Sequence, residues 1–474
     1  MPHFETDYLV IGAGATGLAF ADTLLQESSA HITLVDRQAL PGGHWNDAYP
    51  YVTLHQPSAY YGVNSMPLGS GRIDSHGPNA GLHELATGAE VCSYFQQVMQ
   101  HRLLPSGRVH YLPATQFNGI EGGVARLVSL IDGASTAVAV RRKLVDASHF
   151  TPDVPATTPP PFAVAEGVRL ATPTQLSQLG TRGQATPSGF CILGAGKTAM
   201  DAAMWLLARG VSPTRMHWVM PRDAWLVNRL GTQPGEDFFM HSIGGIARQM
   251  RALAEAHDVD DLFLRLEAAG QMLRFDRSQT PRMFHYATLS EGEVQALRQI
   301  TQVIRQGRVL AIEPEALVLE QGRVALPAGL LYVNCTASAV RPRASLPIFE
   351  PGKITPQLVR APLITFSAAV CAYVEVHCAS DAEKNALCTP VPFPRGLAGY
   401  ITATLVGQAN QQRWKDDKAL RDWMRQTRLD GFGRLTSQVS RDDTEKMVVL
   451  AELRQQMGPA LANAQRLRAA SVTY

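Results

Sequence analysis

Two glycine-rich turns constrain the fold of this chain more than any other feature. The first, Gly12-x-Gly14-x-x-Gly17, follows the apolar run 8–11, and the second, Gly194-x-Gly196-x-x-Ala199, follows the apolar run 191–193. In a strand–turn–helix unit, the first glycine permits the tight turn and the second lets a pyrophosphate approach the backbone. A small third residue lets the helix pack on the strand, and the phosphates lie at the positive helix N-terminus. Two such turns predict two dinucleotides in one chain and electron transfer between two cofactors.

The residue that follows the second strand of each unit distinguishes the two sites. The run 31–35 ends in Asp36, and a carboxylate there hydrogen-bonds a ribose 2′-hydroxyl and repels a 2′-phosphate, so it suits FAD or NAD. The corresponding run 216–220 is followed by Pro221 and Arg222, and Lys197 lies within the second turn. Two cations and no acid favour NADP(H), although a solvated loop arginine and an ordinary helix N-terminal lysine fit the same pattern.

Length and composition restrict the class of protein. With 474 residues the chain exceeds a single ordinary core, and two or three domains are expected. A net charge of +2 and the lack of a basic run give no case for nucleic acid or an anionic membrane. The apolar stretch 361–376 is interrupted by polar residues and is too short to cross a bilayer. The first strand lies directly within a nucleotide motif, which leaves no room for a signal peptide, so a cytoplasmic protein is expected.

The six cysteines form no C-x-x-C or C-x-x-x-x-C pair, so we expect no redox-active disulfide on one turn. His377 and Cys378 lack a second pair to complete a tetrahedral site, and no metal is expected. Inert, buried thiols are the prediction.

The order of motifs predicts an α/β fold with two Rossmann-like domains, in which the NADP domain is inserted into a discontinuous FAD domain. The predicted parts are 1–160, 161–325 and 326–474, with C-terminal helices in the last and a proline-rich crossing at 151–161. The apolar run 330–337 is interpreted as the return to the first sheet. A helical insertion at about 238–305 is expected either to wall a substrate pocket or to form a dimer face, so a homodimer remains open.

These features resemble the flavin-containing monooxygenase-like (class B) flavoproteins, the family that includes Baeyer–Villiger monooxygenases. The resemblance implies FAD in the first site and NADPH in the second. It also implies a flavin C4a-peroxide, formed with dioxygen, that oxygenates a small organic substrate. The residues that carry it are the two turns with Asp36, then Gly42-Gly43-x-Trp45, Tyr49-Pro50 and Cys335-Thr336-Ala337.

The sequence departs from this family in the linker fingerprint F-x-G-x-x-x-H before the second turn. Phe162 is present, but Val164 and Val168 replace the glycine and the histidine. This departure keeps a second function open, a flavin-dependent dehydrogenase or oxidase on the same scaffold. A non-catalytic flavin-binding sensor, with the insertion as a partner surface, is a more distant alternative.

Candidate site residues follow from the motifs and from the loop after Tyr-Pro. His55 titrates near neutrality and is expected to act as an acid or base beside the flavin, exchanging protonation states near pH 6.5. Gln56 adds an amide, and Arg282 is expected to stabilise a nicotinamide carboxamide or an oxygen anion. The expected cofactor-binding residues are Gly12, Gly14, Ala15, Thr16, Gly17, Asp36, Arg37, Gly43, His44, Trp45, Gly194, Gly196, Lys197, Thr198, Arg222, Thr336 and Ala337.

Overall fold

The computed structural model of the chain describes residues 3–150, 152–179, 186–338 and 343–471. In these residues the chain forms four β-sheets and a set of α-helices that cover them. The strands are β1 (His3–Ile11), β2 (Ile32–Val35), β3 (Val109–Leu112), β4 (Thr115–Glu121), β5 (Val124–Ser129), β6 (Ser135–Asp146), β7 (Ala163–Val164), β8 (Arg169–Ala171), β9 (Gly189–Leu193), β10 (Met216–Val219), β11 (Ala224–Asn228), β12 (Met272–Arg274), β13 (Met283–Leu289), β14 (Gln302–Ile304), β15 (Val309–Glu313), β16 (Ala316–Leu319), β17 (Gly322–Ala325), β18 (Leu330–Asn334), β19 (Phe349–Glu350) and β20 (Lys353–Ile354). The helices are α1 (Ala15–Glu27), α2 (Gly88–Val98), α3 (Pro173–Leu176), α4 (Lys197–Ala208), α5 (Phe239–Glu255), α6 (Val259–Ala268), α7 (Glu291–Leu297), α8 (Ile364–His377), α9 (Asp381–Leu387), α10 (Leu397–Asp416), α11 (Lys418–Gln426), α12 (Gly431–Ser437) and α13 (Thr444–Ser471).

The first sheet contains the first glycine turn. Its parallel part has the order β20-β6-β1-β2-β3, and β5 and β4 extend it through antiparallel pairing with β6. The central strand β1 is apolar because both of its faces are covered: Leu9 and Val10 have no exposed surface. Helices α1 and α8 pack in the same core, which places the turn between β1 and α1 at the carboxyl edge of the sheet.

The second sheet contains the second turn and is parallel throughout, with the order β14-β10-β9-β18-β8. Its central strands β9 and β18 are buried along their whole length. Strands β15 to β17 form an antiparallel meander that pairs with β7. The predicted α/β class with two Rossmann-like units is therefore confirmed.

The expected return of the chain at 330–337 is corrected by the strand pairing. Strand β18 pairs with β9 and β8 in the second sheet, and the chain re-enters the first sheet only with β19 and β20, of which β20 pairs with β6. An apolar strand that is buried on both faces is compatible with the centre of either sheet, so its sequence alone does not distinguish them.

The predicted helical insertion at 238–305 is mixed rather than helical throughout. Helices α5, α6 and α7 lie in it, but so do β12 and β13, which flank β11 in a three-stranded sheet, and β14 of the second sheet. Helix α13 packs along α5, and the Asn463 amide donates to the Leu253 carbonyl at 2.7 Å and the Ala256 carbonyl at 2.8 Å. These contacts join the insertion to the C-terminal helices as one wall.

No helix in the described parts of the chain is long and apolar enough to cross a membrane.

Candidate active site

The first glycine turn is held closely against helix α1. Gly12 has φ +100°, and a Cβ on Gly17 would lie 1.9 Å from the Gly12 carbonyl oxygen, so only glycine fits at position 17. Helix α1 begins with Ala15 and Thr16, has no side-chain cap on Gly14 and has no acid in its first turn. Its first backbone N–H groups are therefore free to bind a phosphate.

Asp36 stabilises this turn by accepting hydrogen bonds from the backbone. Its Oδ2 accepts a 2.6 Å hydrogen bond from the Ala13 N–H, and its Oδ1 accepts one of 2.8 Å from the Gln38 N–H. Burial raises the pKa of Asp36, and the two backbone donors oppose that rise. The carboxylate thus lies at the end of β2 beside the turn, where the ribose contact is predicted, while Arg37 is exposed to solvent.

A second loop of the first unit lies backbone to backbone against the turn. Gly43 has φ +58°, and a Cβ added to it would lie 2.9 Å from the Gly14 Cα. The Gly42 N–H also donates to the Ala13 carbonyl at 2.9 Å. This close approach explains why two glycines precede Trp45 and why the loop enters the site at this point.

His44 and Trp45 continue from that loop into the wall of a cavity. The indole Nε1 of Trp45 donates to the Tyr61 hydroxyl at 2.8 Å, which fixes the ring at the border of the first core. Burial lowers the pKa of His44 to about 4, so its imidazole is neutral at physiological pH. Both rings are rigid, uncharged surfaces.

The second glycine turn leaves open space where a phosphate is predicted. Gly194 has φ +117°, and a Cβ there would lie 2.7 Å from the Cys335 carbonyl oxygen, whereas a Cβ on Gly196 would meet nothing within 4 Å. Thr336 follows Cys335, and its hydroxyl donates to Asn334 Oδ1 at 2.6 Å. Thr336 and Ala337 therefore flank the second turn, at the carboxyl end of the second sheet.

Lys197 is turned away from the position predicted for it. Its buried ammonium group pairs with Asp201 one helical turn along α4, and Asp201 Oδ2 also accepts a 2.7 Å hydrogen bond from the Tyr49 hydroxyl. The structure thus corrects the expectation that Lys197 is free to bind a 2′-phosphate, because a buried cation is stabilised by the carboxylate beside it. Arg222 is exposed after β10, and no ion-pair partner for it exists among the residues the structure describes.

One large cavity connects the two units. Its volume is about 1270 Å³ and most of its wall is apolar. Helix α8 begins at its edge with no acid in the first turn, so the positive end of that helix lies at the cavity. Of the predicted site residues, those that line the cavity are His44, Trp45, His55, Gln56 and Thr198.

His55 lines the cavity as a neutral base. Its side chain is accessible from the cavity while protein encloses it on the other sides. Burial, followed by the charges of Lys197 and Arg229, holds the pKa of His55 well below its usual range. The expected exchange of protonation states near pH 6.5 is corrected accordingly. Gln56 lies beside it, and its Nε2 donates to the Tyr60 carbonyl at 3.2 Å.

A buried ion pair behind His55 was not predicted. The fully buried Arg229 pairs with Glu293, with Nη1 2.8 Å from Oε2, and its Nε donates to the His55 carbonyl at 3.4 Å. Burial alone would raise the pKa of Glu293, but the charges of Arg229 and Lys197 outweigh it and lower that pKa. Glu293 also completes the Ser290-x-x-Glu293 capping box at the start of α7, but that motif predicts only the start of a helix, so no local sequence signal marks the ion pair.

Arg282 is not brought to the site. It is exposed on the surface and pairs with Asp260, with Nη1 2.5 Å from Oδ2, and it does not line the cavity. The turn after Thr280 and Pro281 faces solvent, which explains the difference from the expected catalytic position.

Known proteins share this sequence and this architecture. Residues 10–68 match the family described as an NAD(P)-binding Rossmann-like domain. Over 456 residues the chain is 42% identical to the uncharacterized protein Rv2000 of Mycobacterium tuberculosis and to the uncharacterized protein Mb2023 of Mycobacterium bovis, covering 96% of this chain and 83% of each relative. The chain belongs to the family of these mycobacterial proteins.

The same fold occurs in a solved monooxygenase structure. The polycyclic ketone monooxygenase from Thermothelomyces thermophila superposes with a TM-score of 0.52 at 13% identity, covering 99% of this chain and 88% of that one. The expected likeness to flavoprotein monooxygenases is thus confirmed at the level of the fold.

Proposed function

We propose that this protein is an FAD-dependent, NADPH-using monooxygenase that oxygenates a bulky, largely apolar organic molecule. One observation carries the proposal: residues of both nucleotide units line the same cavity, His44 to Gln56 from the first and Thr198 from the helix after the second turn. Cofactors that extend from the two turns would meet in this cavity. Its volume of about 1270 Å³ leaves room for a large substrate beside them.

The residues at both turns fit the two cofactors. Gly14 and Gly43 pack backbone to backbone at the first turn and place no side chain there, and Gly196 leaves open space at the second turn. Neither α1 nor α4 has an acid in its first turn to repel a phosphate. In this proposal the first unit holds FAD, the second holds NADPH, and Arg222 binds the 2′-phosphate.

When bound, FAD would accept a hydride and activate dioxygen, and the protein would position, tune and shield that chemistry. The neutral imidazole of His55 can accept a proton or a hydrogen bond in the cavity. The positive N-terminus of α8 would stabilise negative charge that develops nearby. The apolar walls exclude water from the reacting atoms.

The purified protein tests the proposal directly. It should carry bound FAD and be yellow, NADPH should bleach the flavin band without oxygen, and polycyclic or long-chain ketones and thioethers should then be oxygenated in air. A folded, colourless protein that rejects added FAD would contradict the proposal. NADPH oxidation that rises when substrate is added would exclude a non-catalytic flavin sensor.

A flavin-dependent dehydrogenase or oxidase is the second candidate, and the linker favours it. Val164 and Val168 replace the glycine and histidine of the monooxygenase fingerprint, and Val168 packs against the core of the second sheet. Stopped-flow reoxidation distinguishes the two functions. A monooxygenase should show a transient near-ultraviolet absorbance band, whereas direct return to oxidised flavin with stoichiometric hydrogen peroxide would support the second function.

A further inference from the structure

We infer that the substrate is an apolar molecule with an anionic head group, and that three cations at the edge of the cavity bind this head group. The inference rests on the proposed function for the chemistry that follows binding, but the binding itself can be measured separately. The three cations, here called the basic rim, are Lys415 of α10 and Arg421 and Arg425 of α11.

The residues of the basic rim are held together by the junction of two helices. The Arg421 guanidinium donates through Nη1 to the Lys415 carbonyl at 2.6 Å, which brings the two residues into contact. Arg421 and Arg425 are four residues apart on α11 and therefore lie on one face of that helix. All three line the cavity, so their charges act on what enters it.

The carboxylates near the basic rim neutralise it only in part. Asp422 pairs with Lys418 at 3.0 Å and, more weakly, with Arg425 at 3.4 Å. Asp417 caps α11 by accepting from the Leu420 N–H at 2.9 Å. In the described residues, neither Lys415 nor Arg421 has a carboxylate within ion-pair distance.

The acids of the cavity wall are engaged as well. Asp430 pairs with Arg360, with Oδ1 2.6 Å from Nη1, and Asp153 is also held by an interaction. The charge available to a ligand at this edge of the cavity is therefore positive. A carboxylate or phosphate group would gain charge-assisted hydrogen bonds there.

The rest of the cavity fits the body of such a molecule. Next to the basic rim the wall consists of Trp414, Met424 and Phe432, and further apolar side chains from α5 and α13 continue it. Burial of an alkyl or polycyclic body against these residues is favourable in proportion to its apolar area. Cations at one edge and an apolar wall beyond it are complementary to an amphiphile.

The test measures binding to the FAD-loaded protein by isothermal titration calorimetry. Dodecanoate and dodecyl phosphate are used below their micellar concentrations, and methyl dodecanoate and 1-dodecanol below their solubility limits. We expect dodecanoate to bind about tenfold or more tightly than the ester and the alcohol, and we expect added salt to weaken binding of the two anions but not of the neutral ligands. The ratio between dodecanoate and dodecyl phosphate assigns the head group. Equal affinity for acid and ester would overturn the inference.

Variants locate the effect. Arg421→Gln and Lys415→Gln should lose most of the preference for the acid, and Arg421→Lys should keep part of it. Arg434→Gln is the matched control, because Arg434 is an exposed cation of the neighbouring helix α12, does not line the cavity and has no ion-pair partner among the described residues. An equal loss of preference in Arg434→Gln would assign the effect to the general charge of this surface and overturn the inference. Melting temperatures check that each variant is folded.

The outcomes separate this inference from the proposed function. If the protein prefers the acid but NADPH does not reduce its flavin, the proposed function is contradicted and the inference is supported. If the protein oxygenates neutral ketones but shows no preference for acids, the proposed function is supported and the inference is overturned.

Discussion

The Tyr49 hydroxyl donates a 2.7 Å hydrogen bond to Asp201, and this bond joins the two nucleotide units. Tyr49 lies in the loop that follows Trp45, whereas Asp201 lies on α4, directly after the second glycine turn. Lys197 pairs with the other carboxylate oxygen of Asp201. The bond therefore links the loop beside the first glycine turn to α4, the helix that begins at the second glycine turn.

We expect Tyr49→Phe to lower the free energy of unfolding by about 1–3 kcal/mol, because the buried Asp201 carboxylate loses a donor. FAD content should not change, but flavin reduction by NADPH should slow, since the two units are no longer held in register. Urea unfolding and anaerobic stopped-flow absorbance measure these two effects.

Tyr51→Phe is the control for that substitution. The ring of Tyr51 lies 4.7 Å from the ring of Tyr49, stacks on Trp205, and has a buried hydroxyl without a hydrogen-bond partner in the described residues. Its removal should change stability by less than about 0.5 kcal/mol. Equal losses in both variants would mean that the bond to Asp201 contributes nothing specific.

Gly43→Ala should weaken FAD binding by about tenfold or more. The added Cβ would lie 2.9 Å from the Gly14 Cα, so the first turn must shift away from the position that binds phosphate. Gly77→Ala is the control. Gly77 also has a left-handed backbone, with φ +76°, so the substitution has a similar conformational cost, but the added Cβ meets no atom within 4 Å. Flavin absorbance per protein and FAD titration of the apoprotein compare the two. Full flavin content in Gly43→Ala would show that the turn tolerates the contact.

Arg222→Ala should raise KM for NADPH by about tenfold or more, the scale of a lost charge-assisted phosphate contact of roughly 1.5–3 kcal/mol. KM for NADH should barely change. Arg282→Ala is the control, because Arg282 is also an exposed arginine of this region but already pairs with Asp260, and it should change neither constant. An equal rise for NADPH and NADH would mean that Arg222 supports the fold instead of binding the 2′-phosphate.

His55 makes stability depend on pH in a defined direction. Its folded pKa lies well below the ordinary value of about 6.5, mainly through burial, so below pH 6.5 the unfolded chain binds a proton that the folded chain does not. The contribution of the neutral His55 side chain to the free energy of unfolding is therefore fully present above pH 6.5 and is lost as the pH falls below 6.5. The free energy of unfolding should decline less steeply between pH 6.5 and pH 5 in His55→Gln than in the wild-type protein.

The same variant tests the role of His55 in turnover. We expect kcat to fall by about two orders of magnitude with FAD content unchanged, as for loss of one acid–base group. Because the pKa of His55 lies well below 6.5, we expect protonation of His55 to produce no decline of the wild-type kcat near pH 6.5. The kcat profiles of the wild-type protein and His55→Gln should therefore have the same shape in that range. His101→Gln, at an exposed position, should alter neither property. Normal activity per bound flavin in His55→Gln would assign His55 to structure alone.

The two strand–turn–helix units could be predicted because their requirements are local. A glycine with positive φ at Gly12 and a residue without a side chain at Gly17 are needed by the turn itself, whatever surrounds it. C-terminal helices were also predicted within 326–474, where α10, α11 and α13 lie, since their patterns extend over several turns. The membership of β18 could not be predicted, because strands buried on both faces look alike in sequence.

The direction of long charged side chains depended on partners that are distant in sequence or in space. Lys197 begins the helix after the second turn as expected, but it pairs with Asp201, and Arg282 pairs with Asp260 on the surface, so neither charge is directed to its predicted ligand. His55 was predicted to lie near the cofactors, and it does line the cavity. Its pKa is lowered mainly by burial and then by the charges of Lys197 and Arg229, which lie 142 and 174 residues further along the chain. Electrostatic interactions act through space, so no spacing rule in the sequence reports them.

The sequence by itself determined that the chain contains two dinucleotide turns, because backbone geometry at glycine and the alternation of apolar strands with helices are properties of short segments. Only the tertiary structure decided that residues of both nucleotide units line one cavity, that Tyr49 and Asp201 connect the two units, and that cations of α10 and α11 lie at the edge of that cavity. These relationships arise from the packing of segments separated by more than a hundred residues. Packing depends on the whole set of buried surfaces and not on any one motif.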